Sequence, residues 1–116
     1  MKVLFDNNIP LPLRRFLPGH QVSAAYELGW HRLRNGDLLA VAETSGFEVM
    51  VTADQTLRYE QELTGRTIAI IALGSNFWPV VKEGTAEIAA ALNAVTPGTY
   101  IFIEFPDGHK RGRRKD

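Results

Sequence analysis

The stretch Phe47-Glu48-Val49-Met50-Val51-Thr52-Ala53-Asp54 decides the fold. Val49, Met50 and Val51 are consecutive apolar residues, as in a strand covered on both faces inside a parallel sheet. The spacing predicts a strand over 47–52, with Thr52-Ala53-Asp54 marking its end. Upstream, Lys2 to Phe5 is a second short apolar run, and Asp6-Asn7-Asn8 after it favour turns and caps over strand pairing. Downstream, Thr67 to Leu73 is the most strand-like segment, and Gln21 to Ala25 and Tyr100 to Phe105 complete the set.

Between these runs the period changes to that of helices. Pro10 suits a first helical turn, and Ile9, Leu13, Phe16 and Leu17 recur until Pro18-Gly19, which leaves Arg14 and Arg15 toward solvent. Asp37 opens a helix carrying Leu38, Val41 and Ala42, with Asn35 as its N-cap and Gly46 at its close. Residues 55–64 read as a short polar helix. Asn76 caps a long helix with Pro79 in its first turn and Val81, Ile88, Leu92 and Val95 as the buried stripe, ended by Pro97-Gly98. Strands alternating with helices predict a three-layer α/β/α domain with a mostly parallel sheet of four to five strands.

The 116 residues suit one domain, over 1–106, which buries roughly two thirds of the unfolded chain's surface. Pro106-Asp107-Gly108 marks its end, and 107–116 reads as a basic, disordered tail. The net charge of zero conceals that tail, because His109 to Asp116 holds five Lys/Arg and one acid. There is no cysteine, and Asp6 interrupts the opening apolar run long before it could serve as a signal peptide or span. A cytoplasmic protein with no membrane association is expected.

Asp6 and Asp54 each follow an apolar strand, where the functional crevice of an open parallel sheet lies. If strands one and three are neighbours, the two carboxylates meet, and Asp37 can face them from the helix. Two carboxylates about 5 Å apart repel by roughly 3 kcal/mol at an effective dielectric near 20. A shared proton or a hard divalent cation relieves this, and an all-oxygen site suits Mg²⁺ or Mn²⁺. Such a site is competent for metal-assisted hydrolysis of a phosphodiester. Each residue also has a plain structural reading: Asp37 as a helix-start acid, Thr52 as a strand former, Glu43 on a solvated face, His20 as a packed histidine. Thr52 has the further option of holding Asp54 or a metal-bound water. Trp30, Phe77 and Trp78 read either as base-stacking surfaces or as core and interface residues.

Val3-Leu4-Phe5-Asp6-Asn7-Asn8-Ile9-Pro10, Gly19-His20-Gln21-Val22, Asn35-Gly36-Asp37-Leu38-Leu39 and Val51-Thr52-Ala53-Asp54 together resemble a bacterial PIN-like family of short proteins. The resemblance covers about residues 1–75. It implies a PIN-like fold related to the toxin ribonucleases of toxin–antitoxin pairs, which cut RNA with divalent metal. Asp6, Asp37 and Asp54 would then be the catalytic and metal-binding acids, supported by Asn7 and Thr52. From their place just before Asp37, His31, Arg32 and Arg34 read either as a grip on an RNA backbone, with Arg14 as a further candidate, or as a solvated loop or partner contact. An antitoxin from a neighbouring gene and a second copy in a homodimer are the protein partners to expect. Leu57 stands where the family commonly has an aromatic, and two polar positions also depart from the pattern: Asn7 stands where Glu is common, and Thr56 where a second Asp is. Neither carries charge, so a non-catalytic protein- or RNA-binding module is the competing expectation. A receiver domain would need an acidic pair after strand one, and a haloacid-dehalogenase-type phosphatase would need Asp-x-Asp. Asp6-Asn7-Asn8 supplies neither.

Overall fold

A computed structural model describes residues 1–57 and 62–105. Five strands form one sheet: β1 (Lys2–Phe5), β2 (Gln21–Ala24), β3 (Val49–Thr52), β4 (Ala69–Leu73) and β5 (Tyr100–Ile103). All pairings are parallel, in the order β2-β1-β3-β4-β5. Strands one and three are therefore neighbours, with Phe5 in register with Val51. The sheet is wholly parallel, where mostly parallel was expected. In this doubly wound order the winding reverses between β1 and β3, the place where ligand-binding crevices lie in open α/β sheets.

Alternate side chains serve opposite faces, as the two-residue period of a strand requires. Val3, Phe5, Val49, Val51, Ala69, Ile71 and Leu73 point into one core with Leu13, Val81, Ile88 and Leu92. Leu4, Met50 and Ile70 point into the other, with Leu38, Leu39, Ala42 and Phe47. That second layer is built on α1 (Asn35–Thr44). The first is built on α2 (Trp78–Val81), α3 (Thr85–Ala94) and a 3₁₀ helix over Leu11–Phe16. The three-layer α/β/α arrangement is thus present.

Several local readings are corrected. The segment after Pro10 forms a 3₁₀ helix and not an α-helix, because only a few residues separate Pro10 from the Pro18-Gly19 break, too few for a stable α-helix. With the tighter period Phe16 leaves the buried stripe, is 41% exposed, and packs on Trp78 with ring centroids 5.6 Å apart. Arg14 lies toward solvent as expected, and there it pairs with Glu27 at 2.8 Å. Asn35 is the first residue of α1, and Arg34 occupies the cap position without a side-chain bond. The long helix expected after Asn76 is broken by a 3₁₀ turn at Lys82–Gly84. There the Phe105 ring lies within 2.6 Å of where a Cβ on Gly84 would stand. Ser75, not Asn76, serves the start of α2, its hydroxyl accepting from the Phe77 N–H at 3.1 Å. The ends of β2, β3, β4 and β5 fall inside the expected ranges, since strand pairing and not apolarity sets them. The helix expected over 55–64 lies partly outside the described residues, and the basic tail wholly so.

Glu43 is neither solvated nor near the candidate site. It lies in the last turn of α1 and accepts from Arg66 at 2.6 Å, from the Thr67 N–H at 2.7 Å and from the Ile68 N–H at 3.2 Å. The chain entering β4 is thereby fastened to the helix. Burial pushes the Glu43 carboxyl up, but these N–H donors and the Arg66 charge outweigh it, and the group stays below the ordinary glutamate range. Its contribution to stability is therefore present above the unfolded value of about 4.3 and is lost as pH falls through the lower folded one. Urea denaturation of the Glu43→Gln variant is expected to show lower stability at neutral pH and a shallower decline from about pH 6 to about pH 3 than the parent protein shows. Equal declines would show that Glu43 does not carry this linkage.

Candidate functional site

The site is built where β1 and β3 end. The ladder between them runs one residue past the strand, the Asp6 N–H donating to the Val51 carbonyl at 2.9 Å. This brings Asp6 over the end of β3, where it is 9% exposed. A carboxylate so placed needs donors. The Asn7 N–H supplies one to Oδ1 at 2.7 Å, and the Thr52 hydroxyl supplies another to Oδ2 at 2.7 Å.

Thr52 is fully buried, and its Oγ1 acts twice. While donating to Asp6 it accepts from the Asp54 N–H at 3.0 Å. One hydroxyl thus fixes the two acid-bearing loops against each other. A second tie runs from the Ala53 N–H to Asn8 Oδ1 at 3.1 Å.

Asp54 is half-buried and well supplied with donors. Thr56 gives Oδ1 both its N–H, at 3.0 Å, and its hydroxyl, at 2.7 Å. Asn35 Nδ2 donates to Oδ2 at 2.8 Å. Partial burial pushes the Asp54 carboxyl up, but the Thr56 hydroxyl, the Asn35 amide and the Thr56 N–H outweigh it and keep the group below the usual aspartate range. Asp54 is ionised at neutral pH.

Asp37, the third expected acid, is exposed on α1, and among the described residues no three His, Cys, Asp or Glu side chains gather so as to hold a metal ion. The network therefore joins Asp6 and Asp54 through Thr52 and reaches α1 through Asn35. Sequence reading assigned Asn35 to its own helix start and gave Asn8 no task. Their only signal was an amide close to an acid-bearing turn, which says nothing about which acceptor it meets.

The bonds leave capacity for a ligand. Each carboxylate oxygen has two lone pairs, so the bonds among the described residues use one on each Asp6 oxygen and one on Asp54 Oδ2. These donors are hard oxygens, and Mg²⁺ is commonly bound by one or two carboxylates plus substrate phosphates while keeping several waters. The residues present thus fit Mg²⁺ or Mn²⁺.

Around the site, Asn7 Nδ2 donates to the His31 carbonyl at 3.2 Å and ties down the loop that carries exposed Arg32 and Arg34. Arg14 is committed to Glu27. Trp30 meets Phe47 edge-on with centroids 5.9 Å apart, and Trp78 packs on the core, while Phe77 is 60% exposed. His20 is half-buried, with a Nδ1 that has no hydrogen-bond partner among the described residues. No helix among the described residues is long and apolar enough to cross a membrane.

No family model, no curated protein and no solved structure matches this chain.

Replacing Thr52 with the near-isosteric Val strips a donor from buried Asp6 and an acceptor from the Asp54 N–H. Thermal or urea unfolding of Thr52→Val is expected to show a loss of about 1–3 kcal/mol, the usual cost of a buried polar group left unpaired. A change near zero would mean that water replaces the hydroxyl in both bonds.

Proposed function

We propose that this chain is a divalent-metal-dependent phosphodiesterase that cuts RNA, a PIN-like endoribonuclease serving as the toxin of a type II toxin–antitoxin pair. The observation that carries the reading is the Thr52 hydroxyl joining Asp6 and Asp54 at the point where the winding of the sheet reverses. Crevices of this kind bind ligands in open α/β sheets. Asp6 and Asp54 are the residues that would hold Mg²⁺ or Mn²⁺, with the Asn35 and Thr56 donors keeping Asp54 ionised and aimed. What such an ion supplies when bound is charge to offset that of the phosphoryl group and a lowered pKa for a water nucleophile. Arg32 and Arg34, exposed on a loop tied to Asn7, are the residues that would hold phosphates flanking the scissile bond. The toxin assignment and the antitoxin partner rest on the resemblance to the PIN-like family.

A second reading has its own support. Asp54 already accepts three hydrogen bonds, Asp37 stands on the exposed surface of α1, and Asn7 and Thr56 are neutral. These features suit a PIN-like module that binds protein or RNA without cutting it.

Incubation of the purified protein with single-stranded RNA and Mg²⁺ or Mn²⁺ separates the two. Cleavage is expected, is lost on adding a chelator, and falls by at least about a hundredfold in Asp6→Asn and in Asp54→Asn, the scale of removing a charged group from a hydrolytic centre. Cleavage that survives both substitutions would overturn the assignment. RNA retained but left intact by the parent protein would establish the binding module instead.

A further inference from the structure

α1 contributes one side chain to the acid network, and it is an amide. The helix begins at Asn35, with Arg34 at the cap position making no side-chain bond to it. Its Nδ2 lies 2.8 Å from Asp54 Oδ2. Asp37 is two residues further on, about 200° around the helix axis at 3.6 residues per turn, and is exposed. The two side chains leave α1 in different directions.

We propose that Asn35, and not Asp37, is the α1 residue of the metal site, a positioning residue that aims Asp54 by holding its second carboxylate oxygen. The inference rests on the hydrolytic reading of the site. Thr56 pins Oδ1 twice, but bonds to one oxygen leave the carboxylate able to swing about it. The Asn35 bond fixes Oδ2, whose remaining lone pair is then presented in one direction. Removing a group that orients a ligating carboxylate in this way typically costs roughly tenfold to a hundredfold in metal affinity.

Calorimetric titration of the full chain with Mn²⁺ at neutral pH tests this, with far-UV circular dichroism confirming that each variant is folded. Asn35→Ala is expected to weaken Mn²⁺ binding on the order of tenfold to a hundredfold, and Asp37→Asn to leave it unchanged. Raised Mn²⁺ should restore RNA cleavage by Asn35→Ala, which a general loss of structure would not allow. Should Asn35→Ala fail to fold, Asn35→Ser keeps a residue favoured at helix starts but too short to reach Asp54, and is expected to weaken binding alike. Parent-like affinity in the folded Asn35 variant, or a loss in Asp37→Asn as large as in Asp54→Asn, would overturn the inference alone. Absence of Mn²⁺ binding in the parent protein would overturn the hydrolytic reading and this inference with it.

Discussion

The parallel pairing of β1 with β3 is the constraint on which the rest depends. Phe5 stands in register with Val51, and one further backbone bond carries the ladder to Asp6. β2 lies on the other side of β1, so the chain leaving β1 turns away from the chain leaving β3. The backbone ends at that edge cannot all pair with each other, and polar side chains complete them. The meeting of two acid-bearing loops at that edge is a consequence of strand order before it is a matter of chemistry.

At that edge a neutral hydroxyl ties the Asp6 carboxylate to the Asp54 backbone. Thr52 is buried between two acid-bearing loops and serves one as donor and the other as acceptor. Asp6 has further support from one backbone N–H, whereas Asp54 is surrounded by three donors that favour its charged form. The two carboxylates thus sit in different settings despite their similar places after strands. Oxygen capacity remains on both, which is what a hard divalent ion with its own waters requires.

At the other end of α1 the same physics serves stability. Glu43 collects a guanidinium and two backbone N–H groups where the chain enters β4, and it lies far along the helix from Asn35. One short helix therefore has an end that fastens the sheet and an end that reaches the crevice. Substitutions at the two ends should be separable, since no bond joins them among the described residues.

The sequence by itself determined the layered α/β/α architecture and the placing of Asp6 and Asp54 each at the end of an apolar strand, while the pairing of the first and third strands came from the structure. Those readings follow from local properties: runs such as Val49-Met50-Val51 that need cover on both faces, and turn-forming residues that end them. Only the tertiary structure decided that Asn35 and not Asp37 meets Asp54, that Glu43 binds the entry to β4, and that Phe16 is partly exposed. Apolar burial is additive and periodic, so it can be read along a chain. A hydrogen bond is directional and effective only within about 3.2 Å, so the partner of each polar side chain is fixed by how helices and loops settle on the sheet.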